Sequence, residues 1–394
     1  MWKIKLNKIY ILFAFLMIWV YFSLNARYIN IPGSHLLRWI FPGCLVIIAI
    51  IQSNGRIAFP PLLFLFFSIA VLPSIVLCDY KSTAFVKYLS WVFILYGCYI
   101  FFRSLKEKQS LNDCFKILII VLLIFQILNF IFVVAGINND SGRALGITTN
   151  ANTLGVYANL GYWAALYVVR NTNKKFFEFI GFILIFSAII CSIASGSRTA
   201  FIVLLLNILL TIIIRFKYSP FLPVILLVAG VFIYNLLDGR FIHLNITALN
   251  RLLSEGGTAR GDLWNAAIQV WEQYQTFGVG YTVSNFYNPL EPGMAFHNSY
   301  ISFLVECGIW GCIFLGTGII LLIGKIVKKI LFNSIIISKE FTFAMVMCIN
   351  LAIAAWSESF IFAVGSTEGF TFWFLLAWII AYTKLRNSKG SNRK

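Results

Sequence analysis

The chain alternates long apolar runs with short polar segments. A helix that crosses a bilayer needs about 20 mainly apolar residues. Runs that meet this test lie near 9–25, 36–52, 57–77, 84–102, 117–136, 153–169, 176–194, 199–214, 220–237, 298–323, 341–357 and 369–383. Pro60, Pro61 and Pro73 predict kinks in the third run. Ser357, Glu358 and Ser359 must form a tight turn between the last two. One polar interval is long, from Asp238 to His297, and loops of that length usually carry function. Within it Leu263, Ala267, Val270, Trp271 and Tyr274 recur at helical spacing, with Asp262, Gln269, Glu272 and Gln273 elsewhere around the helix. This pattern predicts an amphipathic helix, beginning just after Arg260, that lies on or dips into the outer membrane interface.

Composition narrows the class. Of 394 residues, 60% are hydrophobic, 17% aromatic and 11% charged, whereas soluble domains carry about 25% charged residues. One soluble core cannot hide that much apolar surface. The numbers exclude a soluble enzyme, a secreted disulfide scaffold, a disordered protein and a nucleic-acid-binding domain. The expected fold is an all-α polytopic membrane protein of twelve transmembrane helices with one long extracytoplasmic loop. Residues 1–237 would hold helices 1–9, residues 238–297 the loop, and residues 298–394 helices 10–12 with a cytoplasmic tail. Lys3, Lys5 and Lys8 precede the apolar run Ile9–Leu24, as in a signal peptide. No small-x-small cleavage site follows, so this run reads as an uncleaved first span.

Charge sets the orientation. The net charge is +17, and with the N-terminus inside, 22 of the 31 Lys and Arg fall in inner segments against four acidic residues. Nine basic and ten acidic residues remain outside. This asymmetry places both termini in the cytoplasm and the 238–297 loop outside a plasma (inner) membrane. The eight scattered cysteines form no CxxC pair, and His35, His243 and His297 have no helical pairing, so no metal site is expected.

Seven of the nine outer basic residues are Arg: Arg27, Arg38, Arg143, Arg198, Arg240, Arg251 and Arg260. Orientation rules explain inner charge, not Arg on the disfavoured side. A guanidinium is a permanently charged fork suited to phosphate oxygens. Arg198 sits in Ser195-Gly196-Ser197-Arg198-Thr199-Ala200, at the junction of two apolar runs. Snorkelling from a tight turn is its plain structural role; an anion site at the start of the following helix is the functional one. Arg260, in Gly256-Gly257-Thr258-Ala259-Arg260-Gly261-Asp262, is either solvated beside a capped helix start or an anion contact. Arg143 with Asn150 and Asn152, and Arg240 and Arg251 in the loop, carry weaker signals of the same kind.

His297 opens His297-Asn298-Ser299-Tyr300, where the tenth run begins. It caps that helix or serves as a base near neutral pH. Glu306 lies nine residues on, at a depth where a carboxylate needs a partner. Gly308, Gly311 and Gly316 predict close approach of another helix. Outer Arg residues and one outer His around an extracytoplasmic loop suggest a pyrophosphate-bearing lipid substrate and a hydroxyl acceptor.

Four ordered blocks carry a resemblance. They are Gly142-Arg143-Ala144-Leu145-Gly146 with Asn150 and Asn152, then Ser195 to Ala200, then Ala259-Arg260-Gly261-Asp262-Leu263-Trp264 running on to Gly278-Val279-Gly280, and His297-Asn298-Ser299-Tyr300 with Glu306-Cys307-Gly308. On these the chain resembles the bacterial O-antigen polymerase/ligase superfamily, and more closely its Wzy-type polymerases. The resemblance implies a metal-independent, inverting glycosyl transfer at the outer membrane face, with no cofactor. The donor and acceptor would be glycans on undecaprenyl pyrophosphate, among membrane lipids. Partners would be a chain-length regulator and a flippase of the same pathway, and no nucleic acid. It implies catalytic roles for Arg198, Arg260 and His297: the two arginines would hold the pyrophosphate, and His297 would act on the acceptor. Arg143, Asn152, Arg251, Asn298 and Glu306 would bind substrate. The alternatives are an O-antigen ligase that transfers to lipid A-core, a related oligosaccharyltransferase and, from another class, a lipid-glycan flippase. A flippase would spread its charge through the bundle depth instead of gathering it at the outer rim.

Overall fold

The computed structural model describes residues 8–25, 37–55, 58–105, 107–140, 142–215, 258–332 and 338–385. The predicted ninth span, 220–237, and the first part of the long loop, with Arg240 and Arg251, lie outside the described residues. Each of the other eleven apolar runs contains a helix: α1 (Lys8–Asn25), α2 (Leu37–Gln52), α3 (Leu62–Leu77), α4 (Lys81–Ser104), α5 (Lys108–Val134), α6 (Ala151–Asn171), α7 (Lys175–Ala194), α8 (Arg198–Arg215), α10 (Ser299–Leu331), α11 (Lys339–Ala354) and α12 (Thr367–Lys384). Between α8 and α10 stands α9, Thr258–Gln273. A two-residue hairpin pairs β1 (Asn139–Asp140) with β2 (Arg143–Ala144).

Of the described helices, α4, α5, α7 and α10 are long and apolar enough to cross a membrane. The chain is an all-α membrane protein. Exposed Ile, Val and Phe side chains, such as Phe15, Val76, Phe179 and Ile320, suit a lipid-facing surface and would be costly in water. The third run is shorter than its apolar stretch: Pro61 is the N-cap of α3, and only Pro73 lies inside the helix. Proline tolerates that start because the first N–H groups have no partner in the helix.

The chain forms two compact units. In the first, α6 packs on α7 and α8. A polar ladder runs along the α6–α8 contact, where Asn159 Nδ2 donates to the Gly155 and Ala200 carbonyls, Asn207 Nδ2 to Asn159 Oδ1, and Trp163 Nε1 to Asn207 Oδ1. Satisfied buried amides of this kind fix register between helices in a low-dielectric setting. Gly155 allows the approach, since a Cβ there would run into Ala200.

In the second unit α3 packs on α10, α2 and α12 on α4, and α11 on α12. An aromatic cluster of Phe67, Trp91, Phe303, Phe362 and Trp373 forms its interior, with ring centroids 4.4 Å apart for Phe303–Phe362 and 5.2 Å for Trp91–Trp373. The amphipathic helix is present as α9, one turn earlier than its apolar pattern suggested. Its apolar face meets protein, not the membrane interface: Ala267 and Val270 are buried against Val279, Phe296 and Val305.

Helix α10 is not continuous. Gly308 sits at φ 62°, ψ −167°, which breaks the helix into two halves. The segment after α9 satisfies the freed backbone groups. Val279 N and Gly280 N donate to the Val305 and Glu306 carbonyls at 2.9 and 3.0 Å, and Ile309 N and Trp310 N donate to the Gln275 and Thr276 carbonyls at 2.8 and 3.1 Å. Non-helical backbone at membrane depth is tolerated only when other protein groups pair with it in this way. A Cβ at Gly278 would strike the Glu306 carbonyl, and one at Gly308 the Thr276 carbonyl. The predicted helix-packing role therefore fits Gly308 poorly: it admits a loop, not a helix. Gly316 has nothing within 4 Å of a built Cβ, and of these three glycines Gly311 alone faces another helix, at the Ala70 carbonyl of α3.

Candidate active site

In the second unit the site grows from the start of α10. Asn298 Oδ1 accepts from Tyr300 N and Ile301 N at 2.9 and 3.0 Å, the geometry of an N-cap. Its Nδ2 is buried without a partner among the described residues. Just before this cap, His297 takes φ 51°, a left-handed conformation uncommon outside glycine. Such backbone persists only where surrounding contacts over-determine it.

Those contacts come from the turn between α11 and α12. Ser299 Oγ donates to the Glu358 carbonyl at 2.7 Å and accepts from Phe360 N and Ile361 N. Asn298 N donates to Ser359 Oγ at 3.0 Å, and Ser299 N to the Ala355 carbonyl. Tyr281 Oη and Trp373 Nε1 hold the Phe362 and Ile361 carbonyls. The turn is thereby fixed from α10, α12 and the 281 segment together.

Its one acidic residue, Glu358, bridges two of the expected catalytic residues. Arg260 Nη2 donates to Glu358 Oε1 at 3.2 Å, and His297 Nδ1 meets Glu358 Oε2 at 3.2 Å. Glu358 is 16% exposed, His297 29% and Arg260 40%, so the carboxylate lies under a more open cation and imidazole. Arg260 stands in the first turn of α9, where the helix dipole disfavours a cation, and Glu358 offsets that. The bond to Glu358 raises the His297 pKa above its ordinary value, against burial and the Arg260 charge, which both lower it. A carboxylate on Nδ1 selects the tautomer with its proton there and leaves Nε2 as the basic nitrogen. This is how a general base is oriented by a third group.

Glu306 lies deeper. It is 5% exposed, and its Oε1 accepts from Ser284 Oγ at 2.7 Å.

In the first unit Arg143 and Asn152 come together. Arg143 Nη2 donates to Asn152 Oδ1 at 2.5 Å and its Nε to the Ser195 carbonyl at 2.8 Å. Arg143 thus ties the β-hairpin to the start of α6 and to the α7–α8 turn. In that turn Gly196 takes φ 59°, and Ser197 Oγ accepts from Ala200 N at 3.4 Å. Arg198 opens α8 directly after this cap, half-buried.

Sequence reasoning missed Glu358 as a site residue. Its signal was a single acid between two serines at the junction of two apolar runs.

Residues 182–316 match the family described as O-antigen ligase, a span that covers the Arg198 block, the Arg260 block and the block holding His297 and Glu306. None of the curated proteins compared matches the chain. The family's activity is of the glycosyltransferase type. The matched span takes in three of the four ordered blocks and supports the resemblance to the O-antigen polymerase/ligase superfamily.

Proposed function

We propose that the protein is a surface-polysaccharide polymerase of the plasma membrane. It would transfer a glycan from undecaprenyl pyrophosphate to a hydroxyl of another lipid-linked repeat unit, at the outer face. The observation that carries this reading is the bridge from Glu358 to both Arg260 and His297. Glycosyl transfer needs a base at the attacking hydroxyl and positive charge at the departing pyrophosphate. One half-buried carboxylate holds a candidate for each.

The reaction follows from these roles. His297 Nε2 takes the proton of the acceptor hydroxyl as its oxygen attacks the anomeric carbon. The bond from that carbon to the pyrophosphate oxygen breaks, and the electron pair leaves on the phosphate. A single displacement inverts the anomeric centre. Arg260, with part of its fork still open to solvent, meets the leaving charge, a role that the resemblance also gives to Arg198. Glu358 stabilises the imidazolium that forms. Guanidinium charge serves in place of a metal, so transfer should persist in a chelator.

The family description favours a second reading, ligation to a lipid A-core acceptor. The two differ only in the acceptor. Purified protein given a defined lipid-pyrophosphate glycan, with chelator present, separates them: a ladder of longer lipid-linked products supports the polymerase. Single transfer only to an added lipid A-core supports the ligase.

A further inference from the structure

Behind the Glu358 turn the second unit holds a half-open cavity of about 220 Å³ that the proposed chemistry does not use. Its wall includes Lys87, Thr282, Ser284, Ser302, Glu306 and Ser359. Two wall oxygens, Glu306 Oε2 and Thr282 Oγ1, are buried without a hydrogen-bond partner among the described residues. Buried polar atoms are nearly always paired, and a carboxylate oxygen without a hydrogen-bond partner is a costly exception. The fold goes out of its way to keep both there. Thr282, a β-branched residue, is held at φ 54°, where such residues are true outliers. Glu306 ends the first half of α10 at the Gly308 break.

The occupant must supply donors to both oxygens. The space exceeds what one bound water or small ion fills. A ring carrying several hydroxyls, each both donor and acceptor, meets those demands. The wall also adjoins the proposed base: Ser359 follows Glu358, and Ser302 Oγ pairs with Ser359 Oγ at 3.0 Å.

We propose that this cavity binds one pyranose unit of the glycan substrate, with Glu306 Oε2 accepting from a ring hydroxyl. This rests on the glycosyl-transfer reading for the identity of the ligand. The test does not rest on activity. Saturation-transfer NMR on the purified protein in detergent would use a panel of methyl glycosides in gluco, galacto, manno, N-acetylamino and uronic forms. At least one glycoside should bind, Glu306→Gln should weaken it at least several-fold, and Ala295→Phe, which fills the cavity from its wall, should abolish it. His297→Ala should leave binding intact even if it abolishes transfer, so failure of the catalytic assignment and failure of the subsite are distinguishable. In transfer assays, a Glu306→Gln increase in KM confined to the acceptor assigns the ring to the acceptor. One confined to the donor assigns it to the donor. No binding by any glycoside, or equal binding by wild type and Ala295→Phe, would overturn the subsite.

Discussion

His297 Nδ1 and Glu358 Oε2 lie 3.2 Å apart, joining residues 61 positions apart in sequence. The contact gives the imidazole an orienting carboxylate and raises its pKa, chiefly through the hydrogen bond. A base must be unprotonated to act, so transfer should rise with pH through a midpoint above that of an ordinary histidine. Glu358→Gln removes the negative charge and lets the pKa fall, so the acid limb of the pH–rate profile should move to lower pH. At neutral pH the same variant should lose more than 10-fold in rate, up to the ~10²–10⁴-fold cost of removing the base itself. A profile unchanged by Glu358→Gln would disconnect the two residues.

The same shift has a stability counterpart. A raised histidine pKa stabilises the folded protein at pH values below the unfolded value of about 6.5. That contribution fades as pH rises through the folded-state pKa. Melting curves of wild type and His297→Ala should therefore differ most in acid and converge in alkali.

Charge and geometry separate at the arginines. Arg→Lys at 198 or 260 keeps the charge and loses the planar fork. Transfer should fall with Lys and fall further with Ala, while expression and membrane insertion hold. Full activity in the Arg198→Ala, Arg260→Ala double variant would refute the pyrophosphate role.

The helix break predicts a local cost. Ala at Gly308 would occupy a backbone region that is essentially glycine's alone, at about 1–3 kcal/mol, and would add a clash with the Thr276 carbonyl. Gly308→Ala should lower the melting midpoint and the activity. Gly316→Ala, with open space around its Cβ, should leave both unchanged.

Much of this architecture was legible in sequence because the bilayer simplifies the problem. An apolar run long enough to span has no alternative but a helix, since every backbone polar group must be paired within it. The Arg260 and His297 blocks stood out because charge and imidazole are rare in such a chain. Glu358 did not, because its meaning lies in partners 98 and 61 positions away. The break at Gly308 was hidden for a related reason. A glycine in an apolar run reads as a packing residue until the 275–280 segment is seen to pair with the freed backbone. The apolar face of α9 likewise declares that it will be buried, not whether lipid or Phe296 and Val305 will bury it.

Topology is open to a direct probe. Tyr287 Oη donates to Asp79 Oδ2 at 2.8 Å, and Lys87 Nζ to the Thr282 carbonyl at 2.6 Å. Both bonds join segments that the charge asymmetry assigns to the outer side. Leu290 is exposed nearby, and the native cysteines are buried or partly buried. Leu290→Cys should react with an impermeant thiol reagent in intact cells. Reaction only after lysis would invert the topology.

The central claim is that His297, oriented by Glu358, takes the proton of the acceptor hydroxyl. Single-turnover transfer by purified wild type and His297→Ala, with saturating lipid-pyrophosphate glycan and a chelator present, tests it most directly. The rate should drop by about 10²–10⁴-fold, with donor affinity retained. A His297→Ala protein that binds donor and transfers at the native rate would contradict the account.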